Sequence, residues 1–280
     1  MIAGPVWLAS YPKSGNTWLR MLLSNLLCGR EGPEDINDLR LATHSLVNRP
    51  VIEDVTLIDS FLLTREECDR MRPALMEDAW REAGDHDVFI KLHDAYCHLP
   101  DGTPILGRPA RAAVYILRDP RDVAVSLAFH TGKPIATIVH QIISSSTRMG
   151  GVKPHHEQVP QPLLDWSGHV RSWTAQRDVA VHVLRYEDLS ADTVGCFGRA
   201  IEFLGLDATS EQLARAVAQA DFSVLQRQEA EKGFRERRPE STAPFFRAGR
   251  VGGWREALAR DHSAAIETAH GAVMAEFGYL

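Results

Sequence analysis

The sequence predicts an α/β fold in which a mainly parallel central sheet is flanked by helices. Three observations lead there. Short apolar runs alternate along the chain with longer stretches of helical apolar period. The short runs are apolar at nearly every position, as strands buried on both faces must be. Several of them end in a turn rich in Gly, Pro, Asp, Lys or Arg, where open α/β sheets bind ligands.

The first strand is Val6-Trp7-Leu8-Ala9-Ser10, followed by turn residues and a helical stretch over Thr17–Leu27. A second strand is predicted over Asp87–His93 and a third over Ala112–Arg118. The third leads through Asp119-Pro120 into a helix over Arg121–His130. Val179–Leu184 is the fourth strand, and helices follow at about 192–204 and 210–220. Thr209 with Gln212 three residues later is a capping box opening the second of these. Segment 227–253, rich in charge, Gly and Pro, reads as a long mobile lid loop, and one helix from Trp254 to about Glu276 closes the chain. Inserts over 30–85 and 131–168 interrupt the alternation and are expected to form walls above the strand ends. The whole, residues 1–280, is expected to be a single domain.

Composition narrows the function. The 280 residues are 44% hydrophobic and 24% charged, as in ordinary globular proteins. Lys and Arg number 31 against 37 Asp and Glu, a net charge of -6, which excludes a general nucleic-acid binder. Cys28, Cys68, Cys97 and Cys196 are widely spaced, form no CxxC pair and are expected to be reduced and buried. Met1–Ser10 lacks a secretory signal pattern and no run of about 18 apolar residues occurs, so a cytoplasmic location without membrane contact is expected.

Basic residues are nevertheless clustered. Tyr11-Pro12-Lys13-Ser14-Gly15-Asn16-Thr17-Trp18 joins the first strand to the first helix. Backbone N–H groups and the helix dipole there favour an anion, and Gly15 permits close approach. Ser14, Asn16 and Thr17 add donors and Lys13 a charge. The order GxxxxGK[ST] is absent, so this is not a Walker A loop. Arg118 ends the third strand, and Ser126 lies eight positions on. Arg118 can clamp a phosphate with its planar fork, or Arg118 and Arg121 can pair with Asp119 and Asp122 at a solvated helix start. Arg235, Arg237, Arg238, Arg247 and Arg250 form a late basic cluster that includes Arg247-Ala248-Gly249-Arg250-Val251-Gly252-Gly253-Trp254.

Taken together, these three segments resemble the sulfotransferases that use 3'-phosphoadenosine 5'-phosphosulfate (PAPS). The family's Tyr-Pro-Lys-Ser-Gly-Thr-Thr-Trp loop is similar to 11–18, with Asn16 for one Thr. Its 3'-phosphate motif is similar to 118–126, and its Arg-Lys-Gly-x-x-Gly-Asp-Trp motif to 247–254, with Ala248 for Lys and Gly253 for Asp. The resemblance implies a P-loop-NTPase-like sulfotransferase fold, with PAPS as sulfuryl donor, adenosine 3',5'-bisphosphate (PAP) as product and no metal requirement. It implies that His93, in Lys91-Leu92-His93, is the catalytic base, that Lys13 stabilises charge on the bridging oxygen and that Lys91 binds sulfuryl oxygens. Residues 14–17 would hold the 5'-phosphate, with Arg118, Ser126, Arg247, Ala248 and Gly249 around the 3'-phosphate. Trp18 and Phe222 would sandwich adenine or pack in the core, and Tyr186 would border the nucleotide or support the sheet. Position 220 is Ala where the family often has a hydroxyl.

The implied acceptor is a small-molecule hydroxyl compound, and the loop looks most like those of bacterial sulfotransferases acting on natural products. His44, Trp80, Phe129, His155, His156 and Trp166 in or beside the inserts suit an aromatic or amphipathic acceptor. Oligomeric state stays open. His93, Cys97 and His98 have a spacing that metal ligands can show, but without a fourth partner. An ATP-dependent P-loop kinase, and a nucleotide-binding protein without turnover, are the alternatives.

Overall fold

A computed structural model describes residues 4–39, 47–84, 86–151 and 157–280. Its sheet has the order β2-β1-β3-β6, where β1 is Pro5–Ser10, β2 Val88–Leu92, β3 Ala112–Leu117 and β6 Val181–Arg185. β1 and β2 run parallel with Pro5 opposite Val88 and Ala9 opposite Leu92. Every residue of β1 and β3 is buried, as expected of inner strands in a sheet covered on both faces. Each predicted strand is present, with ends shifted by one or two residues. Because β1 lies between β2 and β3, the strand order reverses there, and the chain leaves β1 and β3 into the two loops singled out for anion binding.

The helices are α1 (Asn16–Cys28), α2 (Arg49–Thr56), α3 (Arg65–Ala83), α4 (Pro120–Thr131), α5 (Ile135–Ile143), α6 (Trp166–Thr174), α7 (Tyr186–Ala191), α8 (Thr193–Leu204), α9 (Ser210–Gln219), α10 (Phe222–Lys232), α11 (Trp254–Ala257) and α12 (Arg260–Glu276). A two-residue antiparallel pair, β4 (Arg148–Met149) and β5 (Gln161–Pro162), lies in the second insert. The predicted capping box of α9 forms, with Thr209 accepting from the Gln212 N–H. Asp119 caps α4, and Pro120 occupies the first turn, where its missing N–H costs nothing.

Two predicted boundaries are corrected. Residues 227–232, assigned to a loop, complete α10, whose Asp221 cap accepts from the Ser223 N–H. The Gln-, Glu- and Lys-rich sequence there is helix-forming as well as polar. The closing helix is two helices, because Leu258 leaves helical conformation, at φ -107 and ψ 125, and buries its side chain.

The residues group into two compact units. The first comprises 1–11, 42–115 and 144–183, and the second 12–41, 116–143 and 184–280. In the first, Trp7 meets the ring of Trp173 edge-on at 5.8 Å within a core that also buries Trp166. In the second, α1 packs along α9, and Phe234, Phe245 and Phe246 pack ring against ring. Cys68 and Cys196 are buried, while Cys28 and Cys97 are half-buried, and all four are free thiols.

Candidate active site

The second unit gathers the basic segments, from Pro12 onward in the first of them. Gly15 caps α1 at φ 112 and, as a glycine, makes no side-chain cap hydrogen bond to it. Any Cβ at Gly15 would stand 2.7 Å from the Tyr186 ring, so only glycine lets the loop pass. Lys13 adopts a left-handed conformation at φ 67, and its Nζ lies 3.5 Å from the centre of the Phe245 ring. Ser14 is buried, and its hydroxyl has no protein partner among the described residues. Asn16 and Thr17 are buried in the first turn of α1.

Arg118 donates from Nη1 to the Lys13 carbonyl at 3.1 Å and from Nη2 to the Arg250 carbonyl at 3.2 Å. Its Nε is buried without a protein partner among the described residues. The fork therefore ties the first basic segment to the third. Its neighbours correct one sequence alternative. Arg121 does pair with Asp119, at 2.8 Å, but both are buried rather than solvated. Asp122 instead accepts from the Gly252 N–H at 2.7 Å and the Trp254 N–H at 2.8 Å, holding the late motif in place.

Tyr186 is where the segments meet. Its ring lies beneath the Arg118 guanidinium at 4.2 Å and beside Trp18 at 5.7 Å, and its hydroxyl donates to the Gly249 carbonyl at 2.9 Å. Burial pushes its pKa up, and Arg118 partly offsets that. Gly249, at φ 61, lies so close to Phe222 that a Cβ would be 2.7 Å from the ring. Trp18 donates to the Ala220 carbonyl at 3.1 Å, so the backbone at 220 is engaged although the side chain lacks a hydroxyl. Trp18 and Phe222 are both half-buried, not core residues.

A shallow cleft is lined by Lys13, Ser126, Phe129, Phe245 and Arg247 among others. Arg247 stacks on Phe129 at 4.2 Å. Desolvation and then the charges of Arg118 and Arg250 lower its pKa, while Asp122 raises it. Three guanidinium groups within mutual reach form a positive field suited to a phosphate. Glu236 faces the same loop, accepting from Arg20 at 2.6 Å and from the Thr17 hydroxyl at 3.3 Å.

The first unit holds Lys91 and His93. Both are half-buried, Lys91 in β2 and His93 just after it. His93 Nδ1 lies 2.9 Å from the Ser10 carbonyl and 3.3 Å from the Ser10 hydroxyl. A carbonyl only accepts, so Nδ1 carries the proton and the lone pair of the neutral ring is on Nε2. The carbonyl of His93 accepts from His169 Nε2 at 3.1 Å. Trp166, which suited acceptor contact, is a fully buried core residue, as is Trp173. Trp80 is half-buried and stacks with Arg108 at 4.1 Å. His44, His155 and His156 lie outside the described residues. Among the described residues no group of three His, Cys, Asp or Glu is arranged to hold a metal.

The pattern of the sulfotransferase domain family matches residues 3–278. The chain belongs to the sulfotransferase family. This is the family that the three basic segments resembled, so the enzyme is a PAPS-dependent sulfotransferase, and the kinase alternative falls away. Cytosolic sulfotransferase 16 of Arabidopsis thaliana is 27% identical over 278 residues, covering 92% of this chain and 72% of that protein. Solved structures share the fold, among them the following two. Mouse sulfotransferase SULT7A1 complexed with PAP superposes with a TM-score of 0.61 at 18% identity, over 97% of this chain and 84% of that one. A retinol dehydratase in complex with retinol and PAP gives 0.60 at 20% identity, over 96% and 81%.

Sequence reasoning missed Asp122 as the holder of 252–254, and also Ser10, Glu236 and His169. Their partners lie 76 to 219 positions away in the chain, so no spacing rule points to them.

Proposed function

We propose that this sulfotransferase moves a sulfuryl group from PAPS to the hydroxyl of a small-molecule acceptor by in-line attack, with His93 as base. The observation that carries the proposal is the bond from His93 Nδ1 to the Ser10 carbonyl, which leaves Nε2 as the basic nitrogen. PAPS supplies the activated sulfuryl group, so the protein's task is to position the reactants and stabilise charge.

The second unit fits the nucleotide. The buried Ser14 hydroxyl and Arg118 Nε have no protein partner among the described residues, and both are donors suited to anionic oxygens. Ser14, Gly15, Asn16 and Thr17 hold the 5'-phosphate. Arg118, Ser126 and Arg247, with the backbone of Ala248 and Gly249, hold the 3'-phosphate. Trp18 and Phe222 take the adenine faces, with Tyr186 at their edge. Lys13 neutralises the leaving bridging oxygen, and Lys91 receives the sulfuryl oxygens. No metal is needed, because these donors already supply the positive field.

We read the two units as one catalytic domain, because the family match spans both. Residues 233–253 serve as a lid over the nucleotide. Inserts 30–85 and 131–168 form the acceptor pocket. Val51, Val55, Leu57, Ile58, Phe61 and Leu62 of the first insert are exposed, which suits an apolar or amphipathic acceptor. The retinol in the retinol dehydratase complex is such a molecule. Within that class we favour a bacterial natural product, made in the cytoplasm. No helix among the described residues is long and apolar enough to cross a membrane.

The test is PAP release from PAPS against a panel of phenols, sterols and aliphatic alcohols, in EDTA. Turnover with at least one hydroxyl acceptor, lost in His93→Ala, supports the proposal. PAP binding without turnover on any acceptor class would favour the silent nucleotide-binding alternative.

A further inference from the structure

The segment that follows β2 belongs to no strand or helix, yet its backbone groups are taken one after another. The His93 carbonyl accepts from His169 Nε2 at 3.1 Å, and the Asp94 carbonyl accepts from Trp173 Nε1 at 2.9 Å. The Ala95 N–H donates to the Pro162 carbonyl at 2.8 Å, and the Tyr96 N–H donates to the Ser172 hydroxyl at 2.9 Å. Three of these four partners are side chains of α6. His169 and Trp173 are four positions apart on that helix, so they project from one face and reach consecutive carbonyls.

His169 is itself fully determined. It is completely buried, and its Nδ1 lies 2.8 Å from the Tyr115 hydroxyl. Its Nε2 meets a carbonyl, so Nε2 carries the proton and Nδ1 accepts from Tyr115. The Tyr115 ring stacks on the imidazole at 5.7 Å, and the Tyr11 ring meets it edge-on at 5.2 Å. A second histidine, one hydrogen bond away from the first and locked in one tautomer by neutral groups, is more than core filling requires.

We propose that His169 is the positioning residue of His93. It fixes the His93 carbonyl, and with it the backbone from which the ring reaches Ser10, while Trp173 fixes the next carbonyl. The proposal rests on the reading of His93 as base. A chain free to shift at His93 would let the ring exchange tautomers, and Nε2 would lose its aim at the acceptor hydroxyl.

The test is 15N NMR of histidine-labelled enzyme, with the His93 signals assigned by their loss in His93→Ala. The neutral wild-type ring is expected as the Nδ1–H tautomer. His169→Gln, whose side-chain amide can still donate to the His93 carbonyl, keeps that tautomer. His169→Phe shifts His93 toward the Nε2–H form that imidazole prefers in water, and turnover falls about tenfold to a hundredfold while the Kd for PAP stays unchanged. Should His169→Phe fail to fold, Trp173→Phe removes the neighbouring donor and is expected to cause the same shift, more weakly. An unchanged His93 tautomer in His169→Phe, or in Trp173→Phe where that alone folds, overturns the proposal, as does equal loss in Gln and Phe. The base reading fails by a different result, wild-type turnover in His93→Ala, and takes the positioning role with it even if the tautomer is held.

Discussion

In the second unit, Arg118, Arg247 and Arg250 crowd together, and burial with the charges of Arg118 and Arg250 lowers the pKa of Arg247. In the first unit, the His93 segment is held by neutral groups of one helix, the ring N–H groups of His169 and Trp173 donating and the Ser172 hydroxyl accepting. One region stores unfavourable positive charge that an anion relieves. The other stores orientation, in bonds with no net charge. On the proposed reading of His93 and the basic segments, the contrast teaches that affinity for the nucleotide and aim of the base are carried by different physics, so different variants separate them.

The largest expected effect breaks the aim and leaves affinity alone. His93→Ala should lower kcat by about a hundredfold or more, with the PAP Kd unchanged, as steady-state kinetics and calorimetry would report. A matching loss of PAP affinity would merge the two regions. Next comes the charge. Arg247→Ala should weaken PAP by about tenfold to a hundredfold, the worth of one charged hydrogen bond, with a shallower salt dependence than wild type. Gly249→Ala should also weaken PAP, because the added Cβ meets Phe222 at 2.7 Å on a backbone at φ 61. A crystal structure with PAP would show whether the Phe222 ring has moved.

A pH titration sharpens the neutral side of the comparison. Burial lowers the His169 pKa from 6.5 to about 4. The groups against that ring are the Tyr115 hydroxyl, the Tyr11 ring and the His93 carbonyl. The unfolded chain therefore takes up a proton near 6.5 that the folded enzyme refuses until about 4. Stability should fall as pH drops through that window, by about 1.4 kcal/mol per pH unit from this group, and be unaffected by it above. Urea denaturation of His169→Phe across the same range should show a flatter slope. The smallest effect is expected at Glu236, whose carboxylate accepts from Thr17 and Arg20. Glu236→Gln should tighten PAP a few-fold, roughly half a Coulomb pair at a partly exposed site.

Much of this was legible in the sequence, for identifiable reasons. Strands such as β1 and β3 are short and wholly apolar, so their burial shows in composition. The Lys13–Trp18 and Arg118–Ser126 segments are local motifs, and a local motif can be read without knowing the fold. The end of α10 was missed because helix-forming charged residues resemble a loop when only polarity is weighed. The break at Leu258 was missed because nothing in Glu256-Ala257-Leu258-Ala259 forbids a continuous helix. Asp122 and His169 were illegible for a deeper reason. Each acts on backbone groups far along the chain, and backbone partners leave no trace in residue identity.

The most direct measurement is calorimetric titration of PAP, in EDTA, into wild type, Arg247→Ala and His93→Ala side by side. The account predicts metal-independent binding that is weakened in Arg247→Ala and unchanged in His93→Ala. Binding that requires a metal, or that falls as far in His93→Ala as in Arg247→Ala, would contradict it.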